Sequence, residues 1–397
     1  MQRTSQYIVT GFIVLSGIAI FTRVAGFQFS TIIFPGNATT SQDIQNEYNN
    51  SRLSLLIVPG HDLEYPGTEF RGTKEADLTI QASVELYNFL KNDPHIHTSS
   101  ARVFSTGDYQ EELKSYFSNE QVNIRSFSEK FKNFVEGLTA AGNFLPKESK
   151  HPVAPDVVAL RLTGINKWAN EHHINVVIHI HFNDYPDRRF NVKGRYHGFV
   201  IYVPDSQYPN YQTSQGLGQF IFEKLRESAP VSNYASESSG LVEDQQLLAI
   251  GPYATREGAS LLIEYGYIYE PQLVNPDIRE RVIRELAYQT YRGIETYFGN
   301  KERLAMAPST FFPYKWQYPL QEDTKRIMDV FFLQTALSKE GLYPPPGKTI
   351  NTCPFNGLYG PCTKQSVRLF QKKYFHIAGN GIVGPATRKK LNELYGK

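Results

Sequence analysis

Cysteine is scarce: the 397 residues hold two, Cys353 and Cys362. One pair cannot supply a four-ligand structural zinc site. Its place in the short loop "CPFNGLYGPC" suits a local disulfide if the chain is exported. An excess of either charge is also missing. With 41 Lys and Arg against 39 Asp and Glu, nothing electrostatic argues for a nucleic-acid partner. The N-terminal apolar run, Tyr7 to Phe21 between Arg3 and Arg23, falls short of the ~20 residues of a comfortable membrane span. It has the length of an export-signal core. No small-x-small cleavage site follows it and Arg23 stands where one would be, so residues 1–26 are expected to be an export signal or a retained N-terminal anchor. No tandem repeat of the main part of the chain is visible.

What remains is an ordinary globular composition, 41% hydrophobic and 20% charged, on a chain long enough for two domains. Aromatics reach 13%, with 25 Tyr and 26 Phe, which fits either stacking on sugars and peptides or a tyrosine-rich core. Residues 27–52 are polar and read as a tether. From Leu53 strands and helices alternate. "LSLLIVPGH" is a buried strand stopped by Pro-Gly, and "KEADLTIQASVELYNFLKN" places Leu78, Ala82 and Leu86 at helical spacing. A helix over 157–172 leads into a strand over 175–181, two more strands lie at "GFVIYV" and "ASLLIEYG", and a long amphipathic helix closes the unit near residue 298. Such alternation predicts an α/β fold with an open, largely parallel sheet flanked by helices. Residues 110–155 break the pattern. They carry an apolar stripe of Phe127, Phe131, Phe134, Val135 and Leu138, an inserted amphipathic helix that is either peripheral packing or a lid. Residues 299–325, rich in Pro and aromatics, read as a linker, and 326–397 as a small all-α domain.

Open parallel sheets place their sites at the carboxyl ends of strands. Here those ends carry His61 in "PGHDLEYPG", His181 in "NVVIHIHFND" and Glu264 in "LLIEYGYIYE", while Glu75 opens the helix after the first strand. Two histidines and a carboxylate form a catalytic zinc set that leaves one position open, and a further carboxylate can move protons. His179 shares the strand face of His181 but lies some 6–7 Å further back, at ~3.3 Å per residue, which favours a buried hydrogen-bonded residue over a ligand. Glu64 offers a second solution, a His-x-x-Glu pair with His61. His172 and His173 sit at a helix end, where cations are favoured and solvated.

In order, "GHD…GTEFRGTKEADLTIQASVELYNFL", "LRLTGINKWANEHHINVVIHIHFND", "GFVIYV" and "LLIEYGYIYEPQ" resemble the zinc-dependent N-acetylmuramoyl-L-alanine amidases across roughly 53–298. The resemblance implies one Zn2+ on His61, Glu75 and His181, Glu264 as catalytic carboxylate, and Asn183 as a supporting or substrate contact. His197 and Arg256 are weaker candidates for lining the substrate groove. Two departures stand out: Asp62-Leu63 where the family has Gly-Gly, and His179 where it has Ser. The C-terminal unit resembles the peptidoglycan-binding domain through its doubled Gly-x-x-Gly-Pro-x-Thr, Gly357–Thr363 and Gly381–Thr387, and its Phe370-Gln371 pair. There the threonines are expected to cap the helices that follow. The implied function is hydrolysis of the muramoyl–L-alanine amide of peptidoglycan by an exported enzyme. The cytoplasmic membrane is a possible second partner through residues 7–21. A zinc carboxypeptidase using Glu64 and an inactive wall-binding protein are the alternatives.

Overall fold

The computed structural model describes residues 39–147, 154–185, 188–251, 257–300 and 311–397, together with two short paired strands, Phe21–Val24 and Phe27–Ser30. Most of the apolar run expected to export or anchor the chain lies outside the described residues. Among the described residues no helix is long and apolar enough to cross a membrane.

Six strands build one sheet: β1 Leu53–Pro59, β2 Ile96–Ser100, β3 Val176–Asn183, β4 Val200–Pro204, β5 Leu241–Asp244 and β6 Ala259–Tyr267. Their order is β2-β1-β3-β6-β4-β5. The first four in that order are parallel; β4 runs antiparallel to β6, and β5 is parallel to β4. The largely parallel sheet expected from the alternation is present, with a reversed two-strand edge. Helices α1 Ser41–Asn49, α2 Glu75–Leu90, α3 Glu111–Asn119, α4 Gln121–Ala140, α5 Asp156–Glu171, α6 Tyr211–Leu225, α7 Pro271–Val274 and α8 Pro276–Tyr297 complete this part.

Period-2 alternation decides which strand residues meet which layer. Leu55, Ile57, Ile178, Ile180, Leu261 and Ile263 face the layer of α2, α6 and α8. Leu56, Val58 and Val177 face α3 and α5. Burying each aliphatic side chain contributes about 1.5–3 kcal/mol, and a one-residue slip of β3 would move its aliphatic set off the layer of α2, α6 and α8 and turn both histidines into that layer. The register is thereby fixed: His179 pairs with Val58 and Leu262, and His181 with Glu264.

The polar stretch read as a tether contains α1. Thr40 and Asp43 form a capping box, and Ile44 and Tyr48, four residues apart, are buried in the main core. In the insertion, α4 buries Ile124, Phe131 and Val135, the last two packing with Phe144 and Tyr208, so the apolar stripe is largely satisfied.

The C-terminal unit is α9 Ile327–Lys339, α10 Pro361–Phe375 and α11 Pro385–Tyr395, and Cys353 and Cys362 are bonded. Thr363 and Thr387 do not cap. Gly360 and Gly384 hold the cap positions with proline directly inside, which places each threonine in the first turn. There Thr363 accepts from Gln334 Nε2 at 3.1 Å and Thr387 from Gln371 Nε2 at 3.2 Å. The unit shares one apolar core with the sheet domain, and Asn351 reaches across to accept from Val231 N–H at 3.1 Å.

Candidate active site

His61 follows β1, Glu75 opens α2 and His181 lies near the carboxyl end of β3. Their donor atoms all lie within 4.8 Å of one another. Glu75 is the hub: one carboxylate oxygen is 3.0 Å from His61 Nε2, the other 3.1 Å from His181 Nδ1. It also accepts from Thr68 N–H at 3.1 Å and Phe182 N–H at 3.2 Å. Burial pushes its carboxyl up, but the two imidazoles and their hydrogen bonds outweigh that and hold it at about 2, and the start of α2 favours the anion as well. Burial lowers His181, whereas at His61 the Glu75 charge overcomes burial and raises it.

Two glycines make this closeness possible. Pro59 pairs with Ile180, so Gly60 comes abreast of His181, and a Cβ there would lie 2.3 Å from the imidazole. A Cβ on Gly67, whose φ is +75°, would lie 2.5 Å from a Glu75 oxygen and 2.7 Å from the His61 ring. His61 itself has φ +60°, a left-handed conformation that costs an L-residue about 1–2 kcal/mol. It is held there from behind: the buried Arg102 guanidinium donates to the carbonyls of His61 and Gly60, and Thr79 Oγ donates to that of Gly60 at 2.8 Å.

Glu264 stands beside His181 on β6. Burial raises its carboxyl well above the usual range, with the Glu75 and Glu237 charges adding to the effect. Its Oε2 is buried with no hydrogen-bond partner among the described residues. Glu237 was not foreseen, since nothing in "YASESSG" marks it. It is buried and accepts from Tyr202 at 3.0 Å, Asn183 at 2.9 Å, Tyr267 at 2.8 Å and Ser232 at 2.6 Å. Asn183 is therefore turned toward this cluster.

The remaining candidates separate. His179 is buried between Val58 and Leu262, outside the three-residue donor group. His197 lies away from it, its Nε2 3.2 Å from the Asn351 carbonyl of the C-terminal unit. Arg256 falls outside the described residues. Glu64 turns to Arg161, 2.6 Å away, leaving its side chain 58% exposed, and Arg161 also binds Asp62 at 2.6 Å. Asp62 in turn accepts from the N–H groups of Glu64 and Tyr65, so the residues that depart from Gly-Gly build a turn. A cavity of about 600 Å³ opens beside the donor group, bounded by His61, His179, His181, Tyr109 and Arg161, with Ser128 and Lys132 supplied by α4.

Two nitrogens and a carboxylate converging at a strand-end cavity, with a partnerless buried carboxylate oxygen next to them, fit a hydrolytic zinc ion. Residues 55–296 match the family described as N-acetylmuramoyl-L-alanine amidase, and residues 328–391 match a peptidoglycan binding domain family. Among solved structures, the CwlD amidase of Clostridioides difficile in complex with the GerS lipoprotein is 15% identical, with 62% of this chain and 98% of that one covered and a TM-score of 0.40. The amidase Ami1 of Mycobacterium smegmatis is 15% identical, with 63% and 98% covered and a TM-score of 0.38. The catalytic domain of CwlV from Bacillus (Paenibacillus) polymyxa is 16% identical, with 62% and 97% covered and a TM-score of 0.37. No curated protein matches the chain.

Proposed function

Because the chain belongs to the N-acetylmuramoyl-L-alanine amidases, which cut the amide between the muramoyl lactyl group and L-alanine in peptidoglycan, we propose that it does so with Zn2+ held by His61, Glu75 and His181 and with Glu264 moving the protons. The convergence of those three donors within 4.8 Å carries the reading. Zinc, when bound, supplies a Lewis acid that polarises the scissile carbonyl and makes water more acidic.

The chain's own residues do the rest. Glu75 fixes both imidazoles from one rigid helix start, so the donors are set before metal arrives. Glu264, in register with His181, takes a proton from the attacking water as its oxygen bonds to the lactyl carbon. It then gives that proton to the alanine nitrogen as the carbon–nitrogen bond breaks. The products are a lactyl carboxylic acid and a free α-amine. A carboxyl raised by burial suits both halves, because its affinity for a proton approaches that of the groups it serves. The cavity beside His61 has room for the stem peptide, with Lys132 available to its carboxylates.

We assign catalysis to 53–298, including the insertion 110–155, joining to 299–325 and retention on the polymer to 326–397. Holding the insoluble substrate raises local concentration without changing the chemistry. Action is extracytoplasmic, with residues 1–26 serving export and the run 7–21 available as a membrane anchor. The test is metal analysis together with mass spectrometry of digested wall. One zinc per chain, peptide-free glycan and new amino-terminal alanine are expected. Stems merely shortened at their carboxyl ends would favour the carboxypeptidase alternative, and no new products would favour the non-enzymatic one.

A further inference from the structure

Beyond Asn183 at the carboxyl end of β3, and outside the residues that line the cavity, three partly exposed tyrosines meet. The ring centroids of Tyr185 and Tyr196 are 4.8 Å apart, those of Tyr196 and Tyr234 4.8 Å, and those of Tyr185 and Tyr234 6.4 Å. Arg195, fully exposed, lies over the Tyr196 ring at 4.9 Å and the Tyr185 ring at 5.3 Å, and donates to the Tyr196 hydroxyl at 2.7 Å. Behind them Tyr267 and Tyr269 are buried, with Tyr267 6.1 Å from Tyr196. The buried pair belongs to the core. The outer three are only partly buried and carry a guanidinium that donates to the hydroxyls of Tyr185 and Tyr196, which core packing alone does not require.

The cluster is held firmly. Arg188, from the same loop, donates to Asp184 at 2.6 Å and to the Glu69 carbonyl at 2.8 Å while lying over Phe70 and Tyr269. It is also close to the chemistry. Tyr185 is four residues beyond His181, at most ~14 Å along extended chain. Tyr234 N–H bonds to Ser232 Oγ, which donates to Glu237, and Glu237 accepts from Asn183.

We propose that Tyr185, Tyr196, Tyr234 and Arg195 form a subsite for the glycan strand, stacking the sugars that neighbour the muramoyl unit being cut. This deepens the amidase reading and rests on it. The scissile amide joins sugar to peptide, so a bound substrate must leave the donor group in two directions. The cavity at His61 receives one arm and the tyrosine rim the other. Tyrosine suits the sugar arm, since its ring packs against the apolar C–H faces of a pyranose while hydroxyl and guanidinium bond to ring substituents.

The test uses the full-length zinc-loaded chain and two substrates: an N-acetylmuramoyl peptide with no other sugar, and a glycan strand of several disaccharides bearing the same peptide. Tyr185→Ala and Tyr234→Ala should each lower kcat/KM on the strand about three- to tenfold, through KM, and leave the single-sugar substrate within about twofold. Tyr185→Phe, which keeps the stacking ring and removes only the hydroxyl, should lose less on the strand than Tyr185→Ala, and Arg195→Ala, at an exposed position that does not threaten folding, should also lose on the strand alone. Equal losses on both substrates, or a wild-type enzyme that gains nothing from the added sugars, overturn the proposal and leave the amidase reading standing. A loss that disappears in high salt overturns it in favour of an anionic wall polymer. Cleavage of neither substrate by wild type refutes the amidase reading and the subsite with it.

Discussion

Gly60→Ala should abolish metal binding while leaving the domain folded. The new methyl would sit 2.3 Å from His181 Cε1, 2.4 Å from Nε2 and 2.6 Å from Nδ1. Carbon contacts settle near ~3.5 Å, so the imidazole must retreat by about 1 Å. Metal–ligand distances tolerate only ~0.2 Å, so a retreat of that size removes His181 from the donor set. The ring has little room to compensate, since its Nδ1 is tied to Glu75 at 3.1 Å and its side chain is 15% exposed. Overpacking of this kind costs about 1–3 kcal/mol, within what a domain of this size survives. Zinc affinity should fall at least about 100-fold, equivalent to about 2.7 kcal/mol, and hydrolysis should drop to background. Competition against a chromophoric chelator reads the first, release of amino-terminal alanine the second, and a thermal melt confirms folding. Gly216→Ala is the control: its Cβ meets Tyr297 at an ordinary 3.6 Å within α6, so it should be neutral or stabilising by up to ~1 kcal/mol. A folded Gly60→Ala protein with wild-type zinc affinity and rate would refute the placement of His181 as a ligand.

The other expectations concern neighbouring choices. Glu75→Gln should lose zinc, whereas Glu64→Gln, which touches only Arg161 at an exposed position, should keep zinc and activity; the reverse result in metal analysis would restore the Glu64 arrangement. His179→Ser should keep zinc and activity and cost about 2 kcal/mol of stability through lost packing, read by denaturant melts. Replacing Cys353 and Cys362 by Ser should destabilise the C-terminal unit by about 2–3 kcal/mol, the loop-closure value for so short a bridge, and reductant should mimic it in thermal melts. Glu340 is raised by burial but held below the usual range overall by Lys373, Tyr374 and Tyr395. A depressed carboxyl stabilises fully above its unfolded pKa of ~4.3, and that stability is lost as pH falls through the lower folded value. Acid melts of Glu340→Gln should therefore show a flatter dependence below pH ~4.5.

The sequence disclosed the strands that carry chemistry because each is an apolar run broken at or near its carboxyl end by an ionisable residue. Buried strands of a parallel sheet need that run, and a catalytic strand end needs the break. His61, His181 and Glu264 are all of this kind, and Glu75 is visible as an acidic residue starting an apolar-periodic helix. The edges were silent for the converse reason. "IHTSS" and "LVED", which form β2 and β5, each have neighbours on one side only and no continuous apolar signature. The tether hid α1 because two buried residues on a nine-residue helix leave its composition polar. Glu237 and the three tyrosines were illegible for a deeper reason. They come together only by convergence of segments that are 11 to 54 residues apart in the chain, and no local spacing encodes such a meeting.

The glycines connect these levels. Gly60 reads in the sequence as turn chemistry after Pro59, and that reading is incomplete. Gly60 does not adopt a positive φ, so the missing side chain matters for space, because β3 brings an imidazole to where a Cβ would stand. That requirement exists only in the β1–β3 register, and the register is set by aliphatic residues such as Ile57 and Ile178 on the far face of the sheet. Core packing on one face thus dictates the ligand geometry on the other. Substitutions that shift the β1–β3 register should impair zinc binding before they unfold the domain, whereas volume changes beneath α8 that leave the register intact should alter stability alone.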